Sequence, residues 1–141
     1  METAVRICFD VDDTLIDFDR RIRPFAREVF EELHRCGFQL FVWSGVGVRW
    51  EVVEVHGLKP FVAGVHWKPV SRHRERLAEY GIPFVPDFVV DDDIEVVEAF
   101  GGFHIPQPEF DLISDRHLLD AYAAIVEAFP HLTPAGAEPA S

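Results

Sequence analysis

Short apolar runs that end abruptly in polar or acidic residues recur along this 141-residue chain and alternate with helical patterns. The apolar runs cover residues 5–9, 38–43, 61–66, 88–90 and 103–105. Strands that are apolar almost throughout are typical of a sheet buried on both faces, and strands that alternate with helices are typical of parallel sheets. We therefore predict an α/β protein of three layers, in which helices cover both faces of a central, mainly parallel sheet of about five strands.

Helical patterns fill the gaps between these runs. The first predicted helix covers residues 24–35, because Phe25, Val29 and Leu33 have helical spacing and a glycine follows. One further predicted helix ends at about residue 56, and the others cover residues 71–80, 94–100 and 115–129. The length fits one domain, which we assign to residues 1–130. Residues 131–141, rich in Ala, Pro and Gly, are expected to form a flexible tail.

The charge balance narrows the range of partners. The chain has 25 acidic and 13 basic residues, a formal net charge of −12, which disfavours nucleic acids and anionic membranes as partners. No apolar run is long enough to cross a bilayer, and no signal peptide is recognisable. The two cysteines, Cys8 and Cys36, form no disulfide or zinc pattern and are expected to be free thiols. These features predict a cytoplasmic protein.

The first apolar run leads into the segment Asp10-Val11-Asp12-Asp13-Thr14. In an extended chain, side chains two positions apart point to the same side, so Asp10 and Asp12 would converge at the end of the strand. Two convergent carboxylates require a cation, and they can divide the work of catalysis, one as nucleophile and the other as proton shuttle. The alternative is that these acids cap a turn or the next helix and that Thr14 bonds only to the backbone.

A second acidic cluster, Asp91-Asp92-Asp93, follows the fourth apolar run and would lie at the same edge of a parallel sheet. Adjacent carboxylates repel one another unless a cation or hydrogen-bond donors compensate them. Mg²⁺ binds oxygen ligands, typically a few carboxylates together with waters and phosphate oxygens, so the cluster suits this ion. The alternative is a helix N-cap, a role for which Asp93 is the best candidate.

Polar residues also end the second and third runs. Ser44 and Gly45 can offer a hydroxyl and main-chain N–H groups to a phosphate oxygen, although serine beside glycine is also common in ordinary turns. Lys68 follows the third run and can neutralise a phosphate together with a carboxylate. Lys59 is the rival candidate and the only other lysine, and we favour Lys68.

Four motifs, each after a predicted strand, closely resemble in kind and order those of the haloacid dehalogenase-like hydrolase superfamily: Asp10-x-Asp12-x-Thr14, Ser44, Lys68 and Asp91-Asp92. The resemblance extends over about residues 5–105. It implies a Rossmann-like fold and Mg²⁺-dependent phosphoryl transfer. Because Asp12 is present, it implies a phosphatase or phosphotransferase rather than a dehalogenase.

The resemblance also implies a role for each motif residue. Asp10 would be the nucleophile that forms an aspartyl-phosphate, and Asp12 would protonate the leaving group and then activate water. Asp10, Asp91 and Asp92 would bind Mg²⁺, joined by the main-chain carbonyl of Asp12 or Val11. Ser44 and Lys68 would hold the phosphoryl oxygens, and we count Thr14 and Gly45 as further candidates for phosphate binding.

The motifs are too closely spaced for a large inserted cap domain, so the site should be open. Relatives without a cap act on macromolecules or form oligomers in which a neighbouring copy covers the site. The expected partner is thus a phosphorylated small molecule or macromolecule, and a homo-oligomer remains open. The alternative function is a non-catalytic phosphoacceptor or regulatory module with the same fold and metal site, against which the order of the motifs and the presence of Asp12 argue.

Seven residues in loops beside the predicted site are candidates for contact with the leaving group. They can equally be ordinary surface and packing residues. They are Phe18, Arg20, Arg21, Arg23, Val46, Arg49 and Trp50.

Overall fold

The computed structural model describes residues 4–132, which contain one five-stranded parallel sheet. Its strands are β1 (Arg6–Asp10), β2 (Gln39–Ser44), β3 (Val62–Trp67), β4 (Phe88–Asp91) and β5 (Gly102–His104). They lie in the order β3-β2-β1-β4-β5, and all neighbouring pairs are parallel. The predicted α/β class and the five predicted strands are confirmed, and the strand ends differ by at most one residue from the prediction.

Side chains alternate between the two faces of the sheet, as the pleat of a strand requires. One face packs against α1 (Ala26–Arg35), α2 (Trp50–Val55) and α4 (His117–Ala128). The other face packs against α3 (Ile94–Phe100) and the segment before β4. The first face presents Ile7, Phe9, Leu40, Val42, Phe88 and Val90, and the second presents Cys8, Phe41, Trp43 and Val89. Both faces are therefore covered, which gives a Rossmann-like fold of three layers.

The first helix begins at Ala26, two residues later than predicted. Phe25 has a left-handed backbone conformation, with φ 71°, which no α-helix accommodates, so the helix starts after it. The helices at residues 50–55, 94–100 and 117–128 agree with the prediction to within two residues at the predicted ends.

The predicted helix at residues 71–80 is wrong, because this segment forms a series of hydrogen-bonded turns. His73 and Leu77 are buried and Tyr80 packs against the second face of the sheet, so the segment covers this face without forming a regular helix. Arg72 has a positive φ of 48°, which interrupts a helical backbone near its start. Helical propensity alone did not decide the structure of this segment.

Arg23 ties the loop after β1 to the start of α4. Its guanidinium donates to both carboxylate oxygens of Asp115, at 3.3 and 3.0 Å, and to the main-chain oxygens of Asp13 and Thr14. The side chains of Arg23 and Asp115 are fully buried. Contact between Arg23 and a leaving group, one of the sequence expectations, is therefore wrong: this arginine is a structural group of the loop.

The remaining expectations concern the cysteines, the tail and membranes. Cys8 is buried and Cys36 half-buried, and both are free, as expected. Leu132 packs against the core, and residues 133–141 of the predicted tail lie outside the described residues. Within residues 4–132, no helix has the length and apolarity that crossing a membrane requires.

Candidate functional site

The predicted site residues lie along the carboxyl edge of the sheet. Asp10, Ser44 and Asp91 are the last residues of β1, β2 and β4, and Lys68 directly follows β3. Because neighbouring parallel strands end at the same edge, the fold brings together four motifs that are far apart in sequence.

Lys68 lies between two of the acids. Its Nζ donates hydrogen bonds to Asp10 Oδ1 at 3.1 Å and to Asp91 Oδ2 at 2.9 Å. All three side chains are less than one-tenth exposed. Lys59 instead forms a 3.6 Å ion pair with Glu54, in which both side chains are more than half exposed. The structure therefore places Lys68, and not Lys59, among the acids.

Burial and the charges of neighbouring groups shift the pKa values of Asp10, Lys68 and Asp91. The pKa of Asp10 is well above its ordinary value because the carboxyl is buried and close to Asp91, and Lys68 offsets this only in part. Burial also raises the pKa of Asp91, again against the effect of Lys68. Burial alone would lower the pKa of Lys68, but the two carboxylates outweigh it and raise that pKa. The two carboxyls therefore favour the charged form of Lys68, while burial opposes their own ionisation.

Thr14 orients the first carboxylate. Its side chain is fully buried, and Oγ1 donates a hydrogen bond to Asp10 Oδ2 at 3.3 Å. The main-chain N–H groups of Thr14 and Leu15 donate to the carbonyl oxygen of Val11, which holds the turn in place. Each oxygen of Asp10 therefore has a donor, one from Lys68 and one from Thr14.

Asp92 completes a group of three carboxylates, which we call the acid triad: Asp10, Asp91 and Asp92. One oxygen of each lies within 4.8 Å of the others. Asp92 Oδ2 accepts a hydrogen bond from Gln107 Nε2 at 3.1 Å. Sequence analysis missed Gln107, although its place in the loop after the fifth apolar run, at the same edge of the sheet, is a signal for it.

Asp93 has the capping role that the sequence favoured for it. Its Oδ1 accepts a hydrogen bond from the main-chain N–H of Glu95 at 2.9 Å, at the start of α3. Its own main-chain N–H donates to Asp91 Oδ1 at 2.9 Å and so helps to fix that carboxylate. Asp93 is therefore not one of the converging acids.

The donor set of the acid triad fits a divalent cation. When ionised, the three carboxylates carry a charge of −3 against the single positive charge of Lys68, so a deficit of two charges remains. A hard ion of charge +2 with oxygen ligands, such as Mg²⁺, matches both this deficit and the chemistry of the donors. Of the predicted metal residues, only Asp12 does not bring its carboxylate to the triad, because its Oδ2 accepts a hydrogen bond from Arg49 instead.

Ser44 and Gly45 form the turn after β2. Ser44 is almost fully buried, and its Oγ accepts a hydrogen bond from the main-chain N–H of Val46 at 3.2 Å. The main-chain N–H of Lys68 donates to the Ser44 carbonyl at 2.8 Å, and Trp67 Nε1 donates to the Gly45 carbonyl at 3.2 Å. The turn is thereby held beside the lysine, and the Ser44 hydroxyl proton has no acceptor within residues 4–132, so it is free to donate to an incoming oxygen.

Asp12 differs from the acid triad in its exposure. Its side chain is 55% exposed, and Oδ2 accepts a hydrogen bond from Arg49 Nη1 at 3.1 Å. Arg49 is only 16% exposed, and its Nε also donates to Glu51 Oε2 at 2.8 Å. The sequence named Asp12 and Arg49 as candidates separately, but gave no sign that they contact each other.

A cleft of about 500 Å³ lies beside the acid triad. Gln107 connects the two, because it lines the cleft and donates to Asp92. Of the rim residues suggested by the sequence, Phe18 and Arg21 line this cleft, and Arg21 is paired with Asp17. Arg20, Val46 and Trp50 are exposed. The full lining of the cleft is Asp13, Asp17, Phe18, Asp19, Arg21, Gln107, Pro108, Glu109 and Phe110.

Comparison of the chain with models of protein families, with curated proteins and with solved structures finds no match in any of the three.

Proposed function

We propose that this chain is a Mg²⁺-dependent phosphatase of the haloacid dehalogenase-like type, which hydrolyses a phosphomonoester through an aspartyl-phosphate on Asp10. The observation that carries the proposal is the convergence of the acid triad, two members of which, Asp10 and Asp91, bind the buried ammonium of Lys68. The exposed Asp12, two residues after Asp10, supplies the separate acid and base that hydrolysis requires. The motif resemblance assigns the same residues to the same roles.

The first step transfers the phosphoryl group to the protein. An oxygen of the Asp10 carboxylate attacks phosphorus and forms a new P–O bond, while the bond from phosphorus to the leaving-group oxygen breaks. Protonated Asp12 gives its proton to that oxygen, so the product leaves as a neutral alcohol. Lys68 and the Ser44 hydroxyl donate hydrogen bonds to the phosphoryl oxygens and compensate their charge.

The second step hydrolyses the acyl phosphate. Asp12, now a carboxylate, accepts a proton from water as the water oxygen attacks phosphorus. The bond between phosphorus and the Asp10 oxygen breaks, which releases inorganic phosphate and restores the Asp10 carboxylate and protonated Asp12. The exposure of Asp12 supports this role, since a group that takes a proton from water must be in contact with solvent.

The proposal includes Mg²⁺ held by Asp10, Asp91 and Asp92. When bound there, the ion would supply positive charge to the phosphoryl oxygens and to the triad. The two-charge deficit of the triad supports this part of the proposal.

The substrate is a phosphorylated small molecule or a phosphorylated macromolecule. A second copy of the chain over the site belongs to the proposal as well, because Val46, Trp50, Trp67 and Val70 expose apolar surface around the Ser44 turn. The two free cysteines suit a reducing compartment such as the cytoplasm.

The experiment that tests the proposal is phosphate release from p-nitrophenyl phosphate and a panel of phosphometabolites by the full chain. We expect turnover that requires Mg²⁺, stops with a chelator, and is lost in Asp10→Asn. Absence of release from every compound in the presence of Mg²⁺ would refute the proposal. Stable phosphorylation of Asp10 by small phosphodonors without turnover would instead establish the alternative, a phosphoacceptor module.

A further inference from the structure

Arg49 contacts the proposed acid and base of the reaction from a distant part of the chain. It precedes α2, whereas Asp12 lies in the turn after β1. Arg49 Nη1 donates to Asp12 Oδ2 at 3.1 Å, and its Nε donates to Glu51 Oε2 at 2.8 Å. We propose that Arg49 is a positioning residue, which holds the Asp12 carboxylate where it can exchange a proton with the leaving-group oxygen. This inference rests on the proposed function.

Asp12 needs such a partner more than the other acids of the site do. The carboxylates of Asp10 and Asp91 are buried and fixed by Lys68, and Gln107 donates to Asp92. The Asp12 side chain is 55% exposed, and Arg49 is its one hydrogen-bond donor within residues 4–132. An exposed side chain without a partner populates several rotamers, whereas proton transfer requires one that brings the carboxyl within hydrogen-bond reach.

Arg49 is itself well held. Its side chain is only 16% exposed, and the planar guanidinium uses one nitrogen for each acid, so Glu51 fixes the direction from which Asp12 is approached. Other arginine–glutamate pairs within residues 4–132, such as the exposed pair Arg72–Glu75, join residues that are three positions apart in the sequence. The Arg49–Asp12 pair instead joins the loops after two neighbouring strands. Among the described residues 4–132, Asp12 Oδ1 has no hydrogen-bond partner, so it is free to meet the substrate.

Two substrates that differ only in their leaving group test the positioning role of Arg49 specifically. p-Nitrophenolate leaves as a stable anion and needs little help from an acid, whereas phenolate is a poorer leaving group and needs a proton. The value of kcat/KM reports steps up to and including phosphoryl transfer, and therefore the acid role of Asp12 and not its later role as base. A residue that positions Asp12 must accordingly matter more for phenyl phosphate than for p-nitrophenyl phosphate.

The test compares Arg49→Met, Arg49→Lys and the control Arg72→Met on these two substrates with Mg²⁺. We expect Arg49→Met to lower kcat/KM about 10-fold or more for phenyl phosphate and less than about 3-fold for p-nitrophenyl phosphate, since general acid catalysis contributes about 100-fold or more. Arg49→Lys should restore part of the loss, and Arg72→Met should behave as wild type. In an Asp12→Asn background, Arg49→Met should cause no further loss.

Equal losses on both substrates, a change confined to KM, or no change would each overturn the positioning role. Thermal unfolding of each variant, followed by circular dichroism, separates a folding defect from a positioning defect, and Arg49→Lys keeps the charge if Arg49→Met fails to fold. The two proposals fail differently: if the wild type turns over neither compound, the proposed function is wrong, whereas turnover without leaving-group discrimination in Arg49→Met refutes only this inference.

Discussion

At the scale of single residues, Lys68 and Lys59 provide a matched comparison. Lys68→Met removes the ammonium that lies between two buried carboxylates. We expect it to lower the free energy of unfolding by about 3 kcal/mol at neutral pH, as is usual when one partner of a buried ion pair is removed. Lys59→Met breaks an exposed pair with Glu54 and should cost less than about 1 kcal/mol. Urea unfolding with a chelator present measures both variants. Equal costs would contradict the burial of Lys68 among the acids.

The raised pKa of Asp10 predicts a pH dependence of stability. A carboxyl whose pKa is higher in the folded than in the unfolded chain stabilises the fold at low pH, and this contribution is lost as pH rises through the folded pKa. Asp10→Asn cannot ionise, so without divalent ions its stability relative to wild type should increase from about pH 4 to about pH 7. Urea unfolding across this range measures the difference. A difference that stays constant or shrinks with pH would show that the pKa of Asp10 is not raised.

Sequence reasoning reached the acids and Lys68 because each ends an apolar run, and the edge of a parallel sheet is where such residues meet. It did not find the pairs Arg49–Asp12 and Arg23–Asp115. Their members are 37 and 92 positions apart, and nothing in the local sequence of an arginine indicates which distant carboxylate it will meet. The positions of the chemical groups were thus predictable, whereas the contacts that orient them were not.

At the scale of elements, the Arg23–Asp115 pair connects the loop that carries Asp12 to α4. Both side chains are fully buried, so Arg23→Met leaves an uncompensated carboxylate inside the protein and should cost about 3–5 kcal/mol of unfolding free energy. The neighbouring Arg21→Met is the control: Arg21 is 55% exposed, and its loss should cost about 1 kcal/mol or less. Urea unfolding of the two variants decides. A small, equal effect would mean that α4 is held without this pair.

The elements that the sequence predicted well are those with a strong apolar pattern. All five strands were found because their runs are short, apolar and bounded by polar residues. The charged segment at residues 71–80, which a glycine follows, was predicted as a helix but forms hydrogen-bonded turns. Leu77 and Tyr80 still pack against the sheet, but the positive φ of Arg72 is incompatible with a helix at that position, and no signal in the sequence indicated it.

At the scale of the whole molecule, the net charge of −12 acts on every anionic substrate. A phosphomonoester dianion is repelled as it approaches, and salt screens this repulsion. We expect kcat/KM for p-nitrophenyl phosphate to rise with ionic strength from about 0.01 to about 0.15 M, where the screening length falls from about 30 to about 8 Å, while kcat changes little. Steady-state kinetics with saturating Mg²⁺ measure both values. A fall in kcat/KM with salt would indicate a positively charged approach to the site instead.

In the proposed reaction, Asp10 forms the covalent intermediate while Mg²⁺ and Lys68 compensate the acid triad. Its most direct test is to quench the full chain during turnover, reduce any acyl phosphate with borohydride, and locate the resulting homoserine by mass spectrometry. We predict homoserine at position 10 alone, formed only with Mg²⁺ and substrate, and absent from Asp10→Asn. Homoserine at position 12, 91, 92 or 93, or continued phosphate release by Asp10→Asn, would contradict the account.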